Sequence, residues 1–222
     1  MQPDIRVLAI ILIGAFNPKI YHPYWMKSID LLTETEAGDT SVQINNNDIS
    51  VFSNNWVRFE ATQQRLAVQS EQIPYFERIV DIILGLFREL KHTPVYFMGI
   101  NHHYHYMFNN DEDKWHRIGH TLAPKKCWLK EFKDPGLENI EISASREDGY
   151  KGRLKVRCGI SKKLLPGNGL EIQFNDHYEI GDPKTNNGAD EMVRTLEKQY
   201  LYSCNKSKRM ADTILSCADE KE

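Results

Sequence analysis

Between positions 7 and 16 the apolar residues fill both alternating faces of an extended chain: Val7, Ala9, Ile11 and Ile13 on one, Leu8, Ile10 and Leu12 on the other. That pattern predicts a central strand, either covered on both sides or covered on one and paired in an interface on the other. Asn17-Pro18 ends it. An aromatic-rich stretch follows (Tyr21, Tyr24, Trp25), predicting a short helix or turn from near Pro23, and Thr33 to Thr40 reads as a polar loop. Ile49–Ser53, Trp56–Thr62 and Arg65–Gln69 then alternate apolar and polar, with Gln63-Gln64 placed where a tight hairpin would turn. After Pro74, the residues Phe76, Ile79, Ile82, Ile83, Leu86, Phe87 and Leu90 form one wide stripe, the clearest helical pattern in the chain.

The pattern restarts at Pro94. Val95–Phe108 reads as a long strand and Asp111–Leu122 as a helix whose acidic first turn suits the helix dipole. Strands are predicted at Ile140–Ser145, Gly152–Ile160 and Leu170–Ile180. The motif Gly167-Asn168-Gly169 after Pro166 is hairpin chemistry, and Arg146-Glu147-Asp148-Gly149 is a charged turn. Asn186 to Gly188 leads into a last helix from Ala189 to Ser216, about 40 Å long if unbroken, with a polar, frayed tail over Ala218 to Glu222. Residues 5–92 and 94–217 thus share one order: strand, short helix, antiparallel strands, long helix. The expectation is one α+β domain over 1–222, an antiparallel sheet from two similar strand-rich halves, each followed by a long helix packed on one face.

Composition narrows the function. A net charge of −3 and a pI near 6.3 argue against a dedicated nucleic-acid binder. Lys125, Lys126, Lys130 and Lys133, or Lys206, Lys208 and Arg209, remain as local basic patches for such a role. Cys127, Cys158, Cys204 and Cys217 form no C-x-x-C pair and read as free thiols in a reducing cytoplasm. The run Val7–Phe16 is too short to span a bilayer, and Asp4 with the missing cleavage pattern disfavours a signal peptide, so no membrane association is expected.

The chemistry-bearing residues concentrate in Asn101-His102-His103-Tyr104-His105-Tyr106. Alternation puts His102 on the apolar face with Met98, Ile100 and Tyr104, and puts His103 with His105 on the other face. The strand 170–180 repeats the arrangement, with Glu171, Gln173, Asn175, His177 and Glu179 on its polar face. Were these two strands on one sheet, His103, His105, His177 and Glu179 would be candidate ligands for a divalent metal. The alternative is that they are solvated faces of two half-exposed strands. His116 and His120 share a helix face at i, i+4, but no acidic residue lies between them. Phosphate-loop, dinucleotide-binding and nucleophile-elbow motifs are absent, so no catalytic residue and no required cofactor are assigned.

The segments Gly14-Ala15-Phe16-Asn17-Pro18, His22-Pro23-Tyr24-Trp25, Gly99-Ile100-Asn101, Ile118-Gly119-His120-Thr121-Leu122-Ala123-Pro124 and Asn175-Asp176-His177-Tyr178 resemble a loose, sporadically distributed group of uncharacterised bacterial proteins, some near mobile or defence-type genes. The similarity spans residues 7 to 180. It implies framework roles for Asn101 and for Asn175, Asp176 and His177, and no catalytic residues.

The functional expectation is an interaction or adaptor protein, an accessory subunit of a bacterial system. Tyr21, Tyr24, Trp25 and Trp56 are the interface candidates, and the long last helix could serve a homodimer. A metal-dependent hydrolase using the His-rich strand face and a nucleic-acid accessory protein are the alternatives.

Overall fold

The computed structural model describes residues 1–108, 111, 113–164, 169–184 and 188–217. The Gly167-Asn168 turn, the start of the lead-in at Asn186 and the tail from Ala218 lie outside the described residues. In chain order the elements are β1 (Ile5–Gly14), α1 (Pro23–Ser28), α2 (Glu34–Gly38), β2 (Ser41–Asn45), β3 (Ile49–Ser53), β4 (Arg58–Thr62), β5 (Arg65–Ser70) and α3 (Phe76–Glu89). Then come β6 (Val95–Met107), α4 (Asp113–Leu122), β7 (Asn139–Ser145), β8 (Gly152–Ile160), β9 (Gly169–Glu179) and α5 (Asp190–Ser216). The strands form one sheet in the order β2-β3-β4-β5-β1-β6-β9-β8-β7, and every neighbouring pair is antiparallel. The α+β expectation holds. Each half puts its first strand at the centre and its last strand beside it, then ends in its long helix.

Strand parity decides what each face does. Leu8, Ile10 and Leu12 of β1 lie opposite His102, Ile100 and Met98 of β6, and all six are buried. With Phe59, Leu66, Val68 and Phe174 they make the inner face, on which α3 lays Ile79, Ile82, Ile83, Leu86 and Phe87 and α5 lays Met192 and Leu196. A second, smaller cluster on the same face joins Tyr104, Tyr106, Cys158 and Ile172 to Ile118 of α4 and Ile214 and Leu215 of α5. Burying such side chains contributes about 1.5–3 kcal/mol each, which is why alternation, rather than local propensity, sets the face.

Several local expectations are corrected. The polar loop at Thr33–Thr40 contains α2, because Thr33 and Glu36 form a capping box: each side chain accepts from the other's backbone amide. Trp56 and Val57 precede β4 in a turn, where both amides donate to the Asn54 side chain. The helix after β6 begins at Asp113 instead of Asp111. At Gly152, φ is +132° and a Cβ would strike the His177 carbonyl oxygen, so the entry to β8 requires glycine.

Candidate functional site

The outer face of the second half is a grid of aligned rows. His105 lies opposite Glu171, which lies opposite Gly159; the next rows run His103–Gln173–Arg157, Asn101–Asn175–Lys155 and Gly99–His177–Arg153. The register therefore brings His103 and His105 to Glu171. It does not bring them to His177 or Glu179: His177 sits four residues along from the partner of His103, about 14 Å away, and Glu179 lies opposite Phe97. His177 instead stacks on Phe97, with ring centroids 5.5 Å apart. The four-residue ligand set expected from sequence is not assembled.

A tighter set is. His103 Nδ1 lies 3.2 Å from Glu171 Oε1, and His105 Nε2 lies 3.5 Å from the same oxygen. The donors on His103, His105 and Glu171 all fall within 4.8 Å of one another. His105 is buried, and its Nδ1 is 2.8 Å from Ser161 Oγ, which also accepts from the amides of Lys163 and Leu164. Its Nε2 is buried with no hydrogen-bond partner. Burial lowers the His105 pKa against the upward pull of Glu171, so the ring is neutral near pH 7. Burial pushes the Glu171 carboxyl up, but hydrogen bonds from His103 and Gln173 and the charges of both imidazoles outweigh it and hold it at about 2. Ser161, His105 and Glu171 form a hydroxyl–imidazole–carboxylate series, yet Ser161 is 2% exposed and offers a substrate no approach. Sequence reasoning placed Glu171 on the correct face but missed its pairing, and it missed Ser161 entirely.

Beyond this cluster, the side chains of Asn101 and Asn175 form a ladder. Asn175 Nδ2 donates to Asn101 Oδ1 at 2.6 Å, and Asn101 Nδ2 donates to the Ala9 carbonyl at 3.3 Å. On the inner face His102 is buried against Ser203 of α5, 3.1 Å away, and burial, with smaller effects from Arg6 and His103, lowers its pKa to about 3. His116 and His120 are both exposed on α4.

The aromatic interface candidates divide. Tyr21 and Trp56 are core residues: Tyr21 is fully buried beside Phe59, and Trp56 stacks on Tyr75 at 4.8 Å. Trp25 packs partly buried against the same core, and only Tyr24 is exposed. An apolar surface appears elsewhere, after α4. Lys125–Lys130 forms a 3-10 turn, and Trp128, Leu129 and Phe132 are each more than half exposed. Trp128 and Phe132 are in ring contact at 6.4 Å beside a cleft lined by Ala123, Pro135 and Leu137. Lys125 lines the same cleft, and Lys126, Lys130 and Lys133 are near in sequence, together with Glu131 and Asp134. The other basic group, Lys206, Lys208 and Arg209, lies on α5. No helix among the described residues is long and apolar enough to cross a membrane.

No protein-family model matches the chain, and no curated protein is significantly similar to it.

Proposed function

We propose that this protein is an interaction protein that docks on an acidic protein surface through the segment 123–137. The observation that supports this reading is the exposed Trp128–Leu129–Phe132 cluster in a segment whose four lysines outnumber its two acidic residues, Glu131 and Asp134. Aromatic side chains are enriched in interface cores, and large apolar groups standing together in water mark a surface that gains by being covered. Burying each would contribute about 1.5–3 kcal/mol before the cost of association. The lysines set the sign of the partner and speed encounter more than they add affinity.

The test compares wild-type protein with a Trp128→Ser/Phe132→Ser variant in co-purification from the native host. Any partner found is then rebuilt from purified components. The expected result is a stoichiometric acidic partner, bound by the wild type and lost with the variant. A partner set unchanged by the variant would refute the proposal. So would oligonucleotide binding that persists at ~0.2 M salt and depends on the same lysines, which would transfer the surface to nucleic acid.

A further inference from the structure

We infer that the outer face of the second half carries a binding site for one divalent first-row transition-metal ion, with zinc the best match. Its ligands are His103 Nδ1, His105 Nε2 and a Glu171 carboxylate oxygen.

The distances carry the argument. Zinc binds imidazole nitrogen and carboxylate oxygen at about 2.0–2.2 Å, so two donors on a tetrahedral ion stand about 3.3 Å apart. Two of the three donor–donor edges here are 3.2 and 3.5 Å. The third, His103 Nδ1 to His105 Nε2, is within 4.8 Å and closes by a small rotation of His103, the most exposed of the three side chains. The set is also built on rigid parts. His103 and His105 are i, i+2 on β6, and Glu171 is the direct cross-strand partner of His105 on β9.

A second observation is independent of these distances. His105 Nε2 is a buried polar atom with no hydrogen-bond partner, and it faces the carboxylate. A buried polar atom without a hydrogen bond is destabilising, and a bound cation removes that cost. Ser161 then does what outer partners of metal-bound histidines do. Its Oγ lies 2.8 Å from Nδ1 and fixes the ring with Nε2 turned to the carboxylate; binding of the ion at Nε2 selects the tautomer with the proton on Nδ1. Lys163, whose charge opposes a cation at His105, is ion-paired with Glu71.

Two imidazoles and one carboxylate suit zinc and its first-row neighbours, whereas calcium and magnesium prefer all-oxygen sites. Three protein ligands leave a fourth position. His103 borders a groove lined by Glu141, Lys155, Arg157, Gln173 and Asn175, with room for a water.

The experiment uses untagged full-length protein, stripped with a chelator and titrated with zinc against a chromophoric competitor. The expected stoichiometry is about one per chain. Glu171→Gln and His103→Ala, both at partly exposed side chains, should weaken binding by more than about 100-fold while circular dichroism shows an unchanged fold. Ser161→Ala should weaken it by about 10–100-fold, as loss of an outer partner does. Cys127→Ser and His116→Ala/His120→Ala should leave it unchanged. Absence of stoichiometric zinc, or zinc retained in Glu171→Gln and lost in the Cys127 or His116/His120 variants, would overturn the inference.

Discussion

Two charged clusters lie within a few residues of each other on β9, on opposite faces, and they are finished to different degrees. On the inner face, Arg146 spans Asp148 and Asp176, with 1% of its side chain exposed and none of Asp176. Its guanidinium stacks 3.8 Å from the centre of the Tyr178 ring, and the Tyr178 hydroxyl donates to Asp176 at 3.0 Å. Asp148 also accepts from the Tyr150 amide. Among the described residues every charge in this cluster has partners. On the outer face, Glu171 is shared by two imidazoles, one of them partly exposed and the other buried with a nitrogen that lies 3.5 Å from the carboxylate and makes no hydrogen bond. The first cluster is closed and fastens the loop before β8 to the sheet. The second is open, with ligating capacity left over. Buried charge by itself therefore does not mark a site; unfinished coordination does.

The largest effect should come from breaking the closed cluster. Arg146→Met leaves Asp176 buried without its cation and should cost about 3–5 kcal/mol in urea unfolding. Adding Asp176→Leu should recover much of that loss, because the uncompensated charge, more than the missing attraction, causes it. If the single variant costs less than about 1 kcal/mol, the cluster is not closed in the sense argued.

Acid should expose the next difference. The His102 imidazole takes up a proton below its ordinary 6.5 in the unfolded chain, but only at about 3 when folded. The unfolded state thus binds more protons across that interval, and stability falls as the pH drops from 6.5 toward 3. Asp148 adds to the loss at the lower end. Burial pushes its carboxyl up, but the hydrogen bond and charge of Arg146 outweigh this and hold it below 3.8, so its contribution is present above that value and fades below it. Unfolding free energy measured against pH should decline from near pH 6.5, and His102→Gln should flatten the upper part of the decline. A profile that His102→Gln leaves unchanged would contradict this origin.

Smallest should be the effect of opening the open cluster further. Glu171→Gln keeps the side chain's shape, and its loss in the metal-free protein should be about 1–3 kcal/mol by the same urea measurement, below that of Arg146→Met. A loss approaching that of Arg146→Met would make Glu171 a structural residue and erase the contrast.

Much of this was readable in the residues. Alternation along 95–108 separated His102 from His103 and His105, and the stripe from Phe76 to Leu90 gave α3, because burial of one face leaves a period in the sequence. The capping box of α2 is present as Thr33-Glu34-Thr35-Glu36 and could have been found. β2 left little trace, since an edge strand with Val42 and Ile44 both exposed has no buried face to record.

Cross-strand register was out of reach for a different reason. β6 and β9 are neighbours in space, but α4, β7 and β8 intervene, so no hairpin length ties His105 to Glu171. Parity placed Glu171, His177 and Glu179 on one face without choosing among them. Likewise, nothing in the order of residues separates Tyr21 and Trp56, which fill the core, from Trp128 and Phe132, which do not. Nor does it join Arg146 to Asp176 thirty positions away.

The most direct measurement is a long-range nitrogen–proton NMR spectrum that resolves the imidazoles while zinc is added to the stripped protein. One equivalent should move the His103 and His105 resonances together and saturate, leaving His102, His177 and the α4 pair in place. Shifts confined to His116 and His120, or no saturable shift at all, would show the open cluster to be as complete as the closed one and contradict the account.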